Sequence, residues 1–483
     1  MKREAGVRVA AARWKDADLL ALSGALALGA AARIVFMLRA GLPSFDPWRH
    51  LQLVENLRAG HGFTLFGGQP YIWYSPVWYW LGALLPRGAG LLGLAAAFSW
   101  LCAPVFYLWL RRPGVKGSRI TAAAGAFLIA GFGPFVAFTC QYGSEAFAIF
   151  LVLAALLWAA ATKGRWTAGA SGVLFGVALA ARLNLVFDVF LFLPSVRARG
   201  RMAAFAAGAA LPLVATWWRA HQAIAAYPYL FTWDGLATRT ADFGVLSTLV
   251  IQMHPAVHEG LRRLHELIVP RPEWLAGPGG IAWGPLLFMV CGAACLLVAR
   301  RWHLLLAGAT SIAYFLLLDR TGSSHFFRIW LGVFPVFFAA IAEVAGDVGR
   351  RGRLGAVGAS AVVAGALVAG AAFFSPPAMA PLEMVTPEPG LLSESAYMVN
   401  SGFYHPESLI FRFPEKRFIG MPLDPRQFED FRKQYPEYRA ILWHPFSVQD
   451  DLLRYLLSQG GWKVDTVGTN SYGLKYAVLK SSG

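Results

Sequence analysis

The sequence predicts an α-helical polytopic membrane protein of about eleven spans, followed by a small extracytoplasmic α/β domain. Of the 483 residues, 57% are hydrophobic and only 14% are charged, whereas a soluble domain has about 25% charged residues. Several apolar runs also reach the roughly 20 residues that a helix needs to cross a hydrocarbon core. Short basic clusters bound most of these runs, as is typical of loops between membrane helices.

The apolar runs give the positions of the predicted spans. The run at 167–196 is counted as two passes, because the basic clusters at its two ends are both expected in the cytoplasm. Two passes in so few residues require short or broken helices, which are tolerated where they line a protein-enclosed cavity. The runs lie near residues 19–38, 77–110, 120–139, 146–161, 167–196, 202–218, 281–299, 302–318, 329–346 and 356–374.

The distribution of positive charge predicts the orientation. The net charge is +16, but its concentration between spans indicates membrane topology and argues against nucleic-acid binding. The positive-inside rule places the amino terminus in the cytoplasm, and eleven spans then place the carboxy terminus outside a plasma (inner) membrane. Six short segments hold nineteen of the 43 Lys and Arg residues: Lys2, Arg3, Arg8, Arg13 and Lys15; Arg111, Arg112, Lys116 and Arg119; Lys163 and Arg165; Arg197, Arg199 and Arg201; Arg300 and Arg301; Arg350, Arg351 and Arg353.

The predicted domains are a transmembrane domain at 1–374, a Pro-containing linker at 375–402 and an external α/β domain at 403–483. In the last of these, strands are predicted at 438–443 and 462–467, with a helix at 449–458 between them. The predicted external segments of the membrane domain are the first loop at 39–76, a turn at 141–145, a long loop at 219–280 and a turn at 319–328.

The first external loop has the most informative pattern. Asp46 and Pro47 suit the N-cap and the first position of a helix, and Gly60 suits its end. Apolar residues at every third position predict a stripe that lies in the membrane interface. These residues are Trp48, Leu51, Val54 and Leu57.

Asp46 has two interpretations. It is either a helix cap or a general base that removes a proton from an acceptor hydroxyl in a dry cleft. His50 lies one turn later, where it is either structural or orients an acceptor or binds a metal. Farther on, Trp73 and Tyr74 belong to an aromatic stretch that either stacks on sugar rings or forms an interfacial belt.

Three features follow the first span in order. They are an acidic residue, a helix ending in ENLRAGHGF, and an aromatic and Pro-containing stretch that enters the second span. This arrangement resembles the GT-C glycosyltransferase superfamily. It is most similar to the branch of protein mannosyltransferases and aminoarabinose transferases. The resemblance covers approximately residues 18–350. It implies a polyprenyl-phosphate sugar donor, with Asp46 at the position of the proposed catalytic base.

Four further ionisable residues acquire roles from this resemblance. Glu145 suits a helix amino terminus, and the resemblance implies an acceptor-binding or metal-binding role. Arg182 either forms an ion pair with Asp188 or binds the donor phosphate, because charges within spans usually face a cavity. His325 and Arg328 share a helical face and contact either lipid headgroups or, as the resemblance implies, the same phosphate.

The function that follows is inverting sugar transfer from a polyprenyl-phosphate donor to an extracytoplasmic acceptor hydroxyl on a lipid, glycan or protein. A polyprenyl phosphate is a competent leaving group, so the reaction needs a base on the acceptor and positive charge on the phosphate. The sequence identifies no definite cofactor. A divalent metal at Asp46, His50 and Glu145 stays open.

Three alternatives remain. An oligosaccharyltransferase-like enzyme would have a similar first loop, but the Trp-Trp-Asp-Tyr-Gly signature of that group is missing: Arg219 follows Trp217 and Trp218, and Trp233-Asp234-Gly235 stands alone. A lipid or sugar transporter would also use broken helices and intramembrane Arg residues, but such proteins often have two similar halves, and this sequence shows none. An accessory subunit would use the acidic residues only as caps.

Overall fold

The computed structural model confirms a helical protein with a small carboxy-terminal sheet. The chain divides into two compact units. The structure describes residues 16–39, 45–64, 75–86, 89–111, 119–226, 283–299, 301–318, 330–372, 386–400, 409, 412–413, 415–421, 425–443, 450–458 and 461–481.

Helices of the first unit follow the predicted apolar runs. Helix α4 is separated from the short helix α3 of the second unit, so the predicted run 77–110 is two helices and not one. The helices that lie wholly or mainly in this unit are α1 (Asp16–Arg39), α4 (Ala89–Arg111), α5 (Arg119–Gly131), α6 (Gly133–Thr139), α7 (Glu145–Ala161), α8 (Arg165–Ala181), α9 (Val189–Val196), α10 (Arg199–Ala226), α11 (Trp283–Ala299), α12 (Trp302–Leu318), α13 (Val333–Gly349) and α14 (Arg353–Ala372).

Within the described residues, two helices are long and apolar enough to cross a membrane by themselves, at Asp16–Leu38 and Gly90–Arg111. The pair α5 and α6 is a third if it counts as one span bent by 58°. The number of eleven spans therefore stays a prediction. The break predicted within 167–196 is present, because a 3₁₀ segment at Leu183–Asp188 separates α8 from α9.

Two groups of contacts in this unit each join helix ends that lie beside basic clusters. The buried carboxylate of Asp18 accepts a hydrogen bond from Tyr107 at 2.6 Å and pairs with Arg111 and Arg119, each at 3.2 Å. At another point, Arg201 donates to the carbonyl oxygens of Ala159 and Thr162, both at 2.8 Å. These contacts agree with basic segments that share one side of the membrane, while the cytoplasmic assignment of that side stays a prediction.

Glycines bring α8 and α10 into backbone contact. A Cβ atom at Gly172 would overlap the carbonyl oxygen of Phe205, and one at Gly176 would overlap that of Ala209. Gly208 on α10 meets the carbonyl oxygen of Gly169 in the same way. Small residues at this spacing let membrane helices approach closely, so they fix α8 and hence the segment that begins at Arg182.

The second unit contains helices α2 (Phe45–Arg58) and α3 (Val77–Ala83) of the first loop. The interfacial stripe expected on α2 is wrong at two of its positions, because Leu51 and Val54 are buried within the protein. Val54 packs beside Gly82, where its Cγ2 lies 3.0 Å from the place of an added Cβ atom. At these two positions α2 therefore packs on protein.

A five-stranded mixed sheet forms the carboxy-terminal part of the second unit. Its order is β2-β1-β3-β5-β4, with β1 parallel to β2 and β3, and β5 antiparallel to β3 and β4. Strands β3 and β4 and helix α16 confirm the elements predicted there, while β1 lies wholly within the segment predicted as a linker. The elements are β1 (Ala396–Asn400), β2 (Arg417–Met421), α15 (Pro425–Gln434), β3 (Ala440–Trp443), α16 (Asp450–Ser458), β4 (Trp462–Thr469) and β5 (Lys475–Ser481).

Both faces of this sheet are covered. Met398 and Ile441 join Phe428, Leu452 and other side chains in one apolar cluster. Tyr397, Val399 and Leu442 point to the opposite face and join a second cluster with Leu391 and Phe413. Alternate residues of β1 are thus buried on both sides, as in the centre of a mixed or parallel sheet.

Candidate functional site

Asp46 lies in the first turn of α2. The helix begins at Phe45, so Asp46 is inside the helix by one residue and is not its N-cap, a difference within the usual spread of helix boundaries. An acidic residue in this turn is favoured by the positive end of the helix dipole. The side chain of Asp46 lies outside what the structure describes, and its role as a base stays a prediction.

His50, one turn after Asp46, is buried with 4% of its surface exposed. Its Nδ1 lies 2.7 Å from the hydroxyl oxygen of Tyr79 in a hydrogen bond, and the two rings stack with centroids 5.6 Å apart. Tyr79 is fully buried and also contacts the ring of Phe63. His50 therefore joins α2 to α3, and its acceptor or metal role stays a prediction.

Arg58 holds the other end of α2 against α3. Its guanidinium donates to the carbonyl oxygens of Gly82 at 2.9 Å and Ala83 at 3.1 Å, and it pairs with Glu55. The last carbonyls of a helix have no partner within the helix, and Arg58 donates to two of them at the end of α3. Two side chains of α2, His50 and Arg58, thus fix the helix that carries Asp46.

Arg219, the residue that follows Trp217 and Trp218, also belongs to this unit. The guanidinium of Arg219 lies 4.8 Å from the centroid of the Phe63 ring, a cation–π distance. Phe63 lies in turn against Tyr79, with centroids 5.1 Å apart. Arg219 near the end of α10 is thus linked through two aromatic rings to the position of His50.

Glu145 and Arg182 form a buried ion pair in the first unit. Arg182 Nη2 donates to Glu145 Oε1, and 8% and 5% of the two residues are exposed. Glu145 is the first residue of α7, and Arg182 is the C-cap of α8. Because a helix dipole favours an anion at the amino end and a cation at the carboxy end, both charges are stabilised where they lie.

This pairing corrects the alternative proposed for Arg182, an ion pair with Asp188. Asp188 ends the 3₁₀ segment that follows Arg182, and it is fully buried. Within the described part of the chain, neither of its carboxylate oxygens has a hydrogen-bond partner. The nearest acid in the sequence is thus not the partner, because packing of α7 against α8 brings Glu145 to Arg182 instead.

The turn before Glu145 is built closely around the ion pair. A Cβ atom at Gly143 would overlap Glu145 Oε2 and lie 2.9 Å from Arg182 Nη2, so any side chain at this position would displace the ion pair. Ser144 Oγ donates to the carbonyl oxygen of Ala181 at 3.2 Å. The two chain segments are therefore tied by a side-chain hydrogen bond directly beside the ion pair.

Four predicted site residues lie outside the described residues: His325, Arg328, Trp73 and Tyr74. The predicted metal has no established site either. Among the residues that the structure describes, no group of three His, Cys, Asp or Glu side chains is placed to hold a metal ion. The contacts that are described join Glu145 to Arg182 and His50 to Tyr79.

One buried charge was not identified from the sequence. Arg33 in α1 is 2% exposed and donates to Ser99 and to main-chain oxygens. Its position inside the first apolar run was the available signal, because a charge within a span is rare and expensive.

No protein-family model and no curated protein matches the sequence. Solved structures do. The archaeal oligosaccharyltransferase AglB from Archaeoglobus fulgidus, in complex with an inhibitory peptide and a dolichol-phosphate, is 14% identical with a TM-score of 0.50, over 88% of this chain and 69% of that chain. A structure of the same oligosaccharyltransferase with Zn and sulfate is 15% identical with a TM-score of 0.49, over 95% and 72%.

ArnT from Cupriavidus metallidurans, bound to undecaprenyl phosphate, is 16% identical with a TM-score of 0.44, over 94% of this chain and 97% of that chain. All these neighbours are GT-C membrane glycosyltransferases. At such low identity the similarity shows the fold alone, and the fold assignment rests on AglB, with the TM-score of 0.50. The resemblance found in the sequence is confirmed at that level.

Proposed function

We propose that this chain, a membrane protein with the GT-C fold, is an inverting glycosyltransferase that uses a polyprenyl-phosphate sugar donor and an extracytoplasmic acceptor hydroxyl. The observation that carries the proposal is the buried Glu145–Arg182 ion pair at the ends of two apolar helices. The fold shared with AglB supports it.

The ion pair is costly, which argues for a function. Removing two charges from water costs several kcal/mol for each ion, and a buried pair is often no better for stability than apolar residues of the same size. Ionisable residues inside membrane proteins usually mark substrate pathways. We therefore assign Arg182 to the donor phosphate, with Glu145 holding its guanidinium in place and taking part in acceptor binding.

The reaction needs few protein groups. Asp46 removes the proton of the acceptor hydroxyl, whose oxygen attacks the anomeric carbon of the donor. The bond between that carbon and the phosphate oxygen breaks, and its electron pair leaves with the polyprenyl phosphate. Arg182, with His325 and Arg328 on sequence grounds, stabilises the charge on the leaving phosphate. Direct displacement inverts the anomeric configuration.

The remaining assignments follow the sequence. Trp73 and Tyr74 stack on the sugar, since aromatic faces suit the apolar faces of sugar rings. A divalent metal held by Asp46, His50 and Glu145 is an addition that the chemistry does not require, because the leaving group is already competent.

The test is release of free polyprenyl phosphate from a panel of polyprenyl-phosphate sugars by the full-length protein in lipid nanodiscs, with extracted envelope lipids and glycans as acceptors. The expected result is turnover of one donor in the wild type, with loss of turnover in Arg182→Ala. Arg201→Ala is the matched control, because Arg201 also donates to carbonyls of a helix end but lies at the other end of α7. No release from any donor contradicts the proposal.

The oligosaccharyltransferase alternative is favoured by one observation, the fold shared with AglB. It predicts transfer of a lipid-linked oligosaccharide to a peptide, so a peptide with an Asn-X-Thr sequon and a lipid-linked oligosaccharide are included in the panel. Transfer only with that pair selects the alternative. Movement of intact sugar-lipid across the bilayer without release selects a transporter.

A further inference from the structure

The helix break between α5 and α6 has a specific chemical cause. Pro134 is the second residue of α6 and has no N–H group, so the carbonyl oxygen of Ala130 loses its ordinary helical donor. The two helices bend by 58° at this point. A buried main-chain carbonyl without a partner costs free energy comparable to a lost hydrogen bond.

Arg33 supplies the missing donor. Its Nη1 donates to the carbonyl oxygen of Ala130 at 2.8 Å and to that of Gly29 at 2.9 Å. Its Nη2 donates to the carbonyl oxygens of Ser99 at 2.9 Å and Ile129 at 3.5 Å, and its Nε donates to Ser99 Oγ at 3.0 Å. All five N–H groups of the guanidinium are therefore used.

The partners of Arg33 are neutral oxygens. In the described part of the chain, no carboxylate forms an ion pair with it, and the carbonyls at the end of α5 carry the negative end of the helix dipole instead. Five donors in a fixed planar arrangement are particular to arginine, and lysine has three. The bend between α5 and α6 is thus matched to an arginine at position 33.

A directed hydrogen-bond chain continues from Arg33 into α6. Because Thr139 Oγ1 donates to the carbonyl oxygen of Phe135 at 2.6 Å, its hydrogen is used there. The hydroxyl of Ser99, which accepts from Arg33, therefore donates to Thr139 Oγ1 at 2.5 Å. Thr139 is the last residue of α6.

The turn that holds the ion pair begins directly after Thr139. Residues 140–144 lead from α6 to Glu145, and within them a Cβ atom added at Gly143 would overlap Glu145 and meet Arg182. A change in the direction of α6 would move this turn. Since Ser144 is bonded to Ala181, it would also disturb the junction beside Arg182.

We propose that Arg33 is a positioning residue: it sets the bend between α5 and α6, and through Ser99 and Thr139 it fixes the turn that places Glu145 against Arg182. For catalysis, this inference rests on the proposed function. Misplacement of a catalytic or binding group by about 1 Å can cost on the order of 100-fold in rate. Small changes at Arg33 are therefore expected to misplace Arg182 and weaken donor binding.

The first test does not depend on the proposed function. Thermal unfolding of the full-length protein is measured for Arg33→Lys, Glu145→Gln and the double variant. If the two positions are coupled, the loss of Tm in the double variant is smaller than the sum of the losses in the two single variants. For distant, independent positions the losses add. Arg201→Lys with Glu145→Gln is the control pair, and it is expected to be additive. Additivity of Arg33→Lys with Glu145→Gln overturns the proposal.

The second test measures binding of undecaprenyl phosphate in nanodiscs. Arg33→Lys and Thr139→Val are each expected to weaken binding about tenfold in the otherwise wild-type protein, and much less in the Arg182→Ala background. Thr139→Ser keeps the hydroxyl and is expected to bind undecaprenyl phosphate as the wild type does. Ser171→Ala, which deletes another buried hydroxyl that donates to a carbonyl at 2.7 Å, is the control and leaves binding unchanged.

The outcomes separate the two claims. Equal weakening in both backgrounds, or a loss of Tm in Arg33→Lys and Thr139→Val without weaker binding, overturns the positioning role while leaving the proposed function intact. If the wild type does not bind undecaprenyl phosphate, the proposed function fails, and the unfolding measurements alone decide whether Arg33 positions the ion pair.

Discussion

Arg182 pairs with Glu145, which precedes it by 37 residues, and not with Asp188 on its own segment. The pair joins the amino end of α7 to the carboxy end of α8, two helices that pack against each other. Because both residues are buried in an apolar environment, the interaction affects stability as well as any chemistry. The two effects are separable by substitution.

Removal of one partner of the ion pair is expected to destabilise the protein more than removal of both. Glu145→Gln leaves Arg182 buried without its counter-charge, which costs about 3–5 kcal/mol in comparable pairs. Glu145→Gln combined with Arg182→Gln removes both charges and should lower the free energy of unfolding by less. Denaturant unfolding in detergent measures the three free energies. A double variant less stable than both single variants would show that the pair is held by other contacts.

The sequence could predict the helices but not this pairing. Long apolar runs and flanking basic residues are local signals, so α1, α7 and α12 lie where they were expected. The partner of Arg182 depends on how α7 packs on α8, and no local pattern contains that information. Asp188 was weighed as the partner only because it is near in the sequence.

The same reason explains what was missed elsewhere. Strands β3 and β4 were predicted from short apolar stretches, but β1 is buried on both faces and has no polar–apolar alternation to mark it. Arg33 was overlooked although its burial within an apolar run is the same signal that identified Arg182. The helix that carries Asp46 and His50 was predicted because it has local start and stop signals, although Asp46 lies inside it and not at its N-cap.

Close contact between α8 and α10 predicts a strong response to one added methyl group. Gly172→Ala and Gly176→Ala each force a Cβ atom into a carbonyl oxygen of α10, so the helices must separate. A loss of about 1–3 kcal/mol is expected from overpacking. Gly93→Ala is the control, because nothing lies within 4 Å of its added Cβ atom, and helical alanine is favoured over glycine by about 0.5–1 kcal/mol. Similar losses at Gly93 and Gly172 would contradict the helix contact.

The hydrogen bond between His50 and Tyr79 predicts a structural contribution from His50. Tyr79→Phe removes the hydroxyl and leaves a buried ring nitrogen without this partner, which costs about 1–3 kcal/mol. His50→Phe combined with Tyr79→Phe should show coupling in a double-mutant cycle of unfolding free energies. Coupling without an effect of a metal chelator on Tm or activity supports the structural role. A chelator-dependent loss of stability that disappears in His50→Phe supports the metal.

The central claim is tested most directly by acceptor-dependent release of polyprenyl phosphate in nanodiscs, with wild type compared with Asp46→Asn. The general base contributes typically 10²–10⁴-fold to such a reaction, so Asp46→Asn should lose turnover by at least about 100-fold while undecaprenyl phosphate binding and Tm stay near wild type. Unchanged turnover in Asp46→Asn, or a large loss of Tm with turnover per folded molecule preserved, would contradict it and leave Asp46 as a residue of the helix terminus.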